Sequence, residues 1–486
     1  GKVEEVKGLR DRNGRLIFSE GTTDESALAG HNVHLSIDEG IQHVVERELD
    51  TASRTYEVKG ASLVVMDPNT GEILAVAASP GYNPNDYGEA EPEARRDRAV
   101  TDRFEPGSVM KVFTVAAALA GGTLKPTDQI FCENGNFQLA NVTIHDTHNN
   151  GWLTPTQVLA KSSNIGALKI ALALGEPALY SAFRRFGFGE PTGLPLPGEA
   201  AGVLRPKGRP WFEVETANAS FGQGISVTTM QLAVAMSAIA NGGRLLEPVL
   251  VRKVTDARGN VVRENAPRVR REVVPPHVAK TVAEMLTAVA EDGGTGVEAA
   301  LLGYRVAGKT ATAQKVDPKT GKYSEDKYTA SFVGFVPADR PRLVIAVVFD
   351  EPMIGRYGGD LAGPVFRRVA ESSLRYLGVM PASQGAKLSK ISKENEEATA
   401  AAAASAKPKD TLAAPPSPGP VGPPLPSNVK VPELLGMPAK EAVRAVGAAG
   451  LVPEIEGTGK LVKQNPSPGA SVPKGSSIRL VFEPSS

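Results

Sequence analysis

Ser108 and Lys111 stand three residues apart in FEPGSVMKVFTVAAALAGG, a stretch that runs from Phe104 to Gly122. Beyond its opening turn the stretch is apolar, with Val109, Met110, Val112, Phe113, Val115 and Leu119 on every side of the lysine. At i and i+3 on a helix the two side chains share one face. A buried ammonium without a counter-charge is costly, and such a lysine responds by giving up its proton. A neutral amine is a base, and a serine beside a base is a nucleophile. The Glu105-Pro106-Gly107 turn places Ser108 at the positive end of the helix dipole, where a developing oxyanion is favoured. Ser-x-x-Lys alone carries little weight, because it occurs at Ser108, Ser324, Ser427 and Ser471. The last three sit in polar turns or linker, where the amine is solvated. Only Ser108 joins the pair to an apolar helix.

Two further elements bear the same chemistry. Ser162-Ser163-Asn164, the one Ser-x-Asn in the chain, precedes the apolar stretch IGALKIALALG. It puts a hydroxyl and an amide on the turn into a helix, with a plain N-cap as the alternative reading. Lys309-Thr310-Ala311-Thr312 lies in a strand-like run, so alternation sends Lys309 to one face and both threonine hydroxyls to the other. Its alternative reading is an edge strand protected by a lysine. Other reactive residues carry less. His145 and His148 flank Asp146 in a loop, and a zinc pair there lacks a third ligand nearby. Trp211 reads as a core aromatic, with a place in the substrate groove as the alternative. Cys132 reads as a small buried hydrophobe, and the glycine-rich Glu291–Gly296 as a structural turn. His31, His34 and His43 are scattered and receive no role.

The elements that must position these residues follow from the periodicities. Ser36 or Asp38 can cap a helix with Ile41, Val44, Val45 and Leu49 at helical spacing. ASLVVMDPNTGEILAVAAS reads as a hairpin around Asp67–Gly71. Residues 123–300 read mainly as helix and loop, and strands return from GYRVAGKTATAQ through RLVIAVVFDEP. Strands at both ends of a helical middle predict one α+β domain of about 340 residues with a noncontiguous sheet. After about residue 379 an Ala/Lys-rich and then Pro-rich stretch predicts an extended spacer. A second small unit begins near Val429, with a short helix in MPAKEAVRAVGAAGL and a strand in SSIRLVFE.

With 486 residues the chain exceeds one ordinary domain. Lys plus Arg equals Asp plus Glu at 54 each, which removes the electrostatic case for a nucleic-acid partner. One cysteine excludes an internal disulfide. No apolar run approaches the roughly 20 residues of a membrane span. The chain starts at Gly1 rather than Met, within a polar stretch, and is read as lacking its true N-terminus.

Ser-x-x-Lys, Ser-x-Asn 54 residues later and Lys-Thr-x-Thr 201 residues after the first serine resemble the motif set of the penicilloyl-serine transferases. The flanking words VTDRFEPGSVMKVFT, LAKSSNIG, FGQGISVTTMQLAVAMSAIANGG and VAGKTATAQ are similar to the cell-division type of class B, monofunctional penicillin-binding protein. VPELLGMPAKEAVRAVGAAGL and the segment after it resemble a PASTA domain. The resemblance implies an α+β penicillin-binding/β-lactamase-like transpeptidase domain, an antiparallel sheet with a helical subdomain, plus a small α+β PASTA domain. Expected boundaries are a remnant of an upstream module at 1–34, the transpeptidase domain at 35–378, the linker at 379–428 and the PASTA domain at 429–484.

By resemblance, Ser108 is the acylated nucleophile and Lys111 its general base. Ser162 relays a proton to the leaving amine, Asn164 binds the substrate peptide, and Lys309 holds the relay. Thr310 and Thr312 bind the terminal carboxylate, and the N–H groups of Ser108 and Thr312 form the oxyanion hole. No metal or cofactor is expected. The family motif ends in glycine where this chain has Ala311, whose methyl points toward the Ser108 helix. The implied activity is D,D-transpeptidation of peptidoglycan stem peptides in septal cell-wall synthesis, open to β-lactams. The alternatives are a D,D-carboxypeptidase or β-lactamase, for which no water-activating carboxylate is evident, and a non-catalytic division scaffold or muropeptide sensor. The resemblance also implies divisome partners, including a septal glycosyltransferase. It further implies a membrane anchor ahead of Gly1 and a site on the extracytoplasmic, periplasmic side.

Overall fold

Asp38 caps the first long helix, α1 (Glu39–Thr55), by accepting a hydrogen bond from the Ile41 N–H at 3.1 Å. Ser36, the other candidate, donates instead to the Ile73 and Val249 carbonyls, both at 2.7 Å. These contacts come from a computed structural model that describes residues 8–13, 16–19, 30–204, 209, 211–317, 319–381, 428–435, 437, 442, 445, 446, 449, 451–457, 460–473 and 476–483. The chain divides into two units, 1–400 and 401–486.

A five-stranded antiparallel sheet organises the larger unit. Its strands are β1 (Val58–Met66), β2 (Ile73–Ser79), β3 (Ala307–Val316), β4 (Tyr323–Val336) and β5 (Leu343–Pro352), in the order β3-β4-β5-β1-β2. The first two form the hairpin read around Asp67–Gly71, and the last three come from the far end of the unit. Strands from both ends thus meet in one sheet, as the α+β expectation requires. Both faces are covered, so the strands read as almost continuous hydrophobic runs rather than clean alternation. Leu63, Val65, Ile345, Val347 and Phe332 face α1 and a later helix, α6 (Gly358–Tyr376). Val64, Val344, Ala346 and Val333 face the helical side.

On that side α2 (Met110–Ala120) is enclosed so fully that every residue from Met110 to Ala118 is buried. Phe113 anchors it against Phe186 and Phe188, with ring centroids 4.8 and 5.0 Å apart. Around it stand α3 (Asn164–Leu174), α4 (Thr229–Ala240) and α5 (Pro276–Thr287). Trp211 sits in this core against Tyr180, and Cys132 is buried, as read.

Residues 123–300 hold more strand than expected. Ile130–Phe131 pairs with Trp152–Leu153, Asn136–Leu139 with Val142–His145, and Arg244–Leu246 with Val269–Glu272. Val251–Thr255 forms a further sheet between Val261–Glu264 and Asn32–Leu35. These ladders are two to five residues long and largely exposed, too short and too polar to show a period of two.

In the smaller unit Ser477–Glu483 pairs in parallel with Val452–Gly457 and antiparallel with Lys460–Asn465. Ile478 and Leu480 point into a core with Leu434, Val446 and Leu461. Of the helix read in MPAKEAVRAVGAAGL, Ala442, Ala445 and Val446 are helical, Ala449 lies in a turn, Met437 and Leu451 are not helical, and the other residues lie outside the described ones. The Ala/Lys/Pro-rich spacer also lies outside them.

Phe366 of α6 is fully buried on Phe332, with ring centroids 4.7 Å apart. Phe366→Ala is expected to cost about 3–5 kcal/mol, read as a lower denaturant midpoint for the larger unit.

Candidate active site

Gly107 sets the position of Ser108. Its φ of +53° is open to glycine at little cost, and a Cβ there would lie 3.2 Å from the Ala313 Cβ and 3.4 Å from that of Ala311. The turn therefore lies flat on β3, and one 3-10 turn, Gly107–Val109, carries Ser108 into α2. Glu105 pins the same turn by accepting from the Gly224 N–H at 2.9 Å and the Tyr323 hydroxyl at 3.0 Å.

Lys111, one turn on, is fully buried. Its Nζ donates to the Ser162 carbonyl at 2.5 Å and to Asn164 Oδ1 at 2.8 Å, and lies 3.2 Å from Ser162 Oγ. The lysine thus spends its hydrogen bonds on the second motif rather than on Ser108. Burial pulls its pKa down to about 7, against an upward pull from the Asp146 carboxylate. Lys309, on β3, is also fully buried. Its Nζ donates to Ser162 Oγ and to the Thr310 carbonyl, both at 3.0 Å. Burial first, and then the neighbouring Lys111, push its pKa well below the ordinary lysine value. β3 is an edge strand, as the alternative reading had it, yet this lysine points inward and guards no edge.

Ser162 sits where both amines meet, and its backbone is in the left-handed region at φ +59°. A side chain with a Cβ is strained there, a cost that recurs at functional sites. The helix cap of the alternative reading is also present, on Ser163, whose hydroxyl accepts from the Gly166 N–H at 2.9 Å. The cap and the hydroxyl that both amines contact are therefore carried by adjacent serines.

Asp146 holds this corner together. Its carboxylate accepts from the Ser163 hydroxyl at 2.5 Å, the Asn164 and Ile165 N–H groups at 2.6 and 3.0 Å, and Asn150 Nδ2 at 3.1 Å. An anion at the start of α3 also suits the helix dipole. The sequence reading treated Asp146 only as a neighbour of two histidines. No local pattern marks an aspartate that caps a helix 18 residues away. His145 Nδ1 instead pairs with Asn136 Oδ1, and His148 lines the cleft. Among the described residues no group of three His, Cys, Asp or Glu side chains is placed to hold a metal.

A cleft of about 910 Å³ brings Ser108, Ser162, Asn164, Thr310, Ala311 and Thr312 to one surface, with Lys111 and Lys309 behind it. Thr312 Oγ1 accepts from the Gly358 N–H at 3.0 Å, at the start of α6. Thr310 Oγ1 lies 2.7 Å from Thr295 Oγ1. The Glu291–Gly296 turn thus contributes Thr295 to the cleft wall, beyond the structural role read for it. The arrangement suits acyl transfer: a hydroxyl in an open cleft, a dry amine one turn away, and a second hydroxyl between two amines.

A family model described as "Penicillin binding protein transpeptidase domain" matches residues 61–371. The chain belongs to the penicillin-binding protein transpeptidase family. A PASTA domain model matches residues 429–484. The chain is 39% identical over 375 residues to the "Probable peptidoglycan D,D-transpeptidase PenA" of Neisseria flavescens, covering 77% of this chain and 90% of that protein. It is 40% identical over 373 residues to the "Peptidoglycan D,D-transpeptidase FtsI" of Escherichia coli strain K12, covering 76% of this chain but 60% of that protein. The solved transpeptidase domain of penicillin-binding protein 3 from Burkholderia pseudomallei aligns with a TM-score of 0.63 at 38% identity, over 72% of this chain and 97% of that one.

Asp146→Asn keeps an acceptor for α3 but removes the charge that holds the Lys111 pKa up. The acylation rate of Ser108 by benzylpenicillin is therefore expected to begin its rise at lower pH than in the parent. Asp146→Ala is expected to slow acylation about tenfold to a hundredfold, through misplacement of Ser162 and Asn164. A purely structural role would leave the pH profile of Asp146→Asn unmoved.

Proposed function

We propose that this chain is a serine D,D-transpeptidase that cross-links peptidoglycan stem peptides in septal wall synthesis and is acylated by β-lactams. The observation that carries the reading is the pair of fully buried lysines, 111 and 309, sharing the Ser162 hydroxyl one turn from Ser108. Lys111, neutral above about pH 7, takes the proton of Ser108 Oγ as that oxygen attacks the penultimate D-alanine carbonyl. The N–H groups of Ser108 and Thr312 hold the oxyanion. Ser162 hands a proton to the departing D-alanine nitrogen and is restored through the amines it touches, with Lys309 holding it in line. Thr310 and Thr312 take the terminal carboxylate, and Asn164 takes the peptide backbone. An amine of a second stem peptide then attacks the ester carbonyl, the Ser108 C–O bond breaks, and the proton shed by the amine returns to Ser108. A β-lactam enters the same way, but its leaving nitrogen stays tethered by the ring.

The functional layout has four parts: an upstream module at 1–34, catalysis at 35–378, a linker at 379–428 and a PASTA domain at 429–484. The reaction is placed on the extracytoplasmic face of the membrane, where peptidoglycan lies. No described helix is long and apolar enough to cross a membrane. An N-terminal anchoring helix and divisome partners, including a septal glycosyltransferase, belong to the same proposal. They rest on the likeness to division-type relatives.

Intact-mass measurement after exposure to benzylpenicillin is expected to show one adduct on the Ser108 peptide. Its lifetime should be minutes to hours, and it should be absent in Ser108→Ala. The rate of adduct formation should climb to a plateau above about pH 7 and fall up to tenfold per unit below it. No labelling would favour a scaffold, and an adduct lost in seconds a hydrolase. Ala311→Gly removes a methyl that faces Gly107. It is expected to change the acylation rate by more than it changes the thermal midpoint, and identical rates would deny Ala311 any part in the site.

A further inference from the structure

Trp152 is 64% exposed, although it is held in a ladder directly opposite Phe131. The two rings lie 5.2 Å apart at 38°, so Phe131 backs one face of the indole and leaves the other open. The ladder is fixed beneath by Lys169, whose Nζ donates to the Phe131 carbonyl at 2.7 Å and to Glu133 at 2.5 Å. This platform adjoins the cleft. The Cys132 N–H donates to the Gly151 carbonyl at 2.8 Å, and Asn149, three residues before Trp152, lines the cleft wall. Asn134 and Asn149 stand over the two loops that meet here, with Oδ1 atoms 3.8 and 3.2 Å from where Cβ atoms on Gly151 and Gly135 would lie. Among the described residues neither amide has a hydrogen-bond partner.

An open indole face beside free amides suits one kind of ligand. A pyranose ring presents a face of C–H groups with partial positive charge to the negative face of an aromatic ring. Its hydroxyl and N-acyl groups need donors and acceptors such as side-chain amides. We propose that Trp152, backed by Phe131, is a stacking platform for an N-acylated amino sugar of the glycan strand. Asn134 and Asn149 serve the polar groups of that sugar. The inference rests on the transpeptidase reading, because the stem peptide that enters the cleft hangs from that strand.

Two measurements on the full chain test it. Trp211 is buried, so the emission of Trp152 reports ligand at this face. Peptide-free glycan strands are expected to shift that emission to the blue in a saturable way, and no shift would overturn the proposal. In the second, kcat/KM is compared for one stem pentapeptide with and without its disaccharide. The sugar is expected to raise kcat/KM about two- to tenfold in the parent. Trp152→Phe should keep most of that advantage and Trp152→Ala should bring the ratio close to one, whatever change is common to both substrates. An equal ratio in parent and Trp152→Ala would overturn the platform. Should benzylpenicillin fail to acylate the parent, the transpeptidase reading falls, and the emission measurement decides the platform by itself.

Discussion

Two amines that share one hydroxyl in a dry pocket cannot both hold a proton at little cost. Lys111 and Lys309 both reach Ser162 Oγ, and neither is exposed. Two unit charges at such a separation repel by about 3 kcal/mol at an effective dielectric of 20, on top of the loss of water. Among the described residues no carboxylate forms an ion pair with either amine. Asp146 acts on Lys111 at a distance while its oxygens serve the start of α3. The pocket therefore favours a state with at least one free amine, which is the reagent a serine nucleophile needs. The reactive feature is thus a consequence of packing, and whatever keeps the pocket dry also maintains the chemistry.

That dryness depends on how closely the helical side meets the sheet. The Ser108 turn lies on β3 with only methyl groups between them, Ala311 and Ala313 facing Gly107. A bulkier group on either side would lift α2 from the strand and admit water to both lysines. Because β3 is an edge strand, its free side can serve as a cleft wall while β4 holds its other side rigid. Ala311 uses some of that narrow clearance where the family motif has glycine. Its methyl, with that of Ala313, sits where the Ser108 turn meets the strand.

The parts of this site that were legible in the sequence are those in which chemistry and position are local. Ser108 and Lys111 lie one turn apart, and the apolar run around the lysine singles the pair out among four such spacings. A lysine in an apolar helix announces burial before any coordinates. The sheet was legible because β1, β2, β4 and β5 are long and apolar. Asp146 was not, because its partners on α3 are distant in sequence and its own neighbours suggested a histidine pair. Thr295 escaped for the same reason: its role is a hydroxyl contact with Thr310 across the cleft. The motif gave both a hydroxyl for the site and an N-cap as readings, and only the backbone shows that Ser162 takes the first and Ser163 the second. The short ladders between 123 and 300 were missed because two to five exposed residues carry no period.

The hydrogen bonds around Ser162 also constrain the direction of proton flow. A neutral amine has two N–H groups and one lone pair, whereas an ammonium has three donors and none. With Lys111 neutral, its two hydrogens go to the Ser162 carbonyl and to Asn164 Oδ1, the two shorter contacts. Its lone pair is then left for a hydroxyl proton. Lys309 donates to Ser162 Oγ, which frees that hydroxyl's own hydrogen for Lys111. The chain Lys309, Ser162, Lys111 is therefore a wire with one sense at rest. In the proposed reaction Lys111 takes the proton of Ser108 and becomes a donor on every side, and the Ser162 hydrogen must turn away from it. The one place left for that hydrogen to point is the cleft, where a leaving nitrogen would stand. Asn164 is held at both ends in the free protein, by Lys111 and by the His145 carbonyl. One N–H and one oxygen lone pair of this amide remain free for a peptide, so a peptide in the cleft and Lys111 can meet at a single side chain.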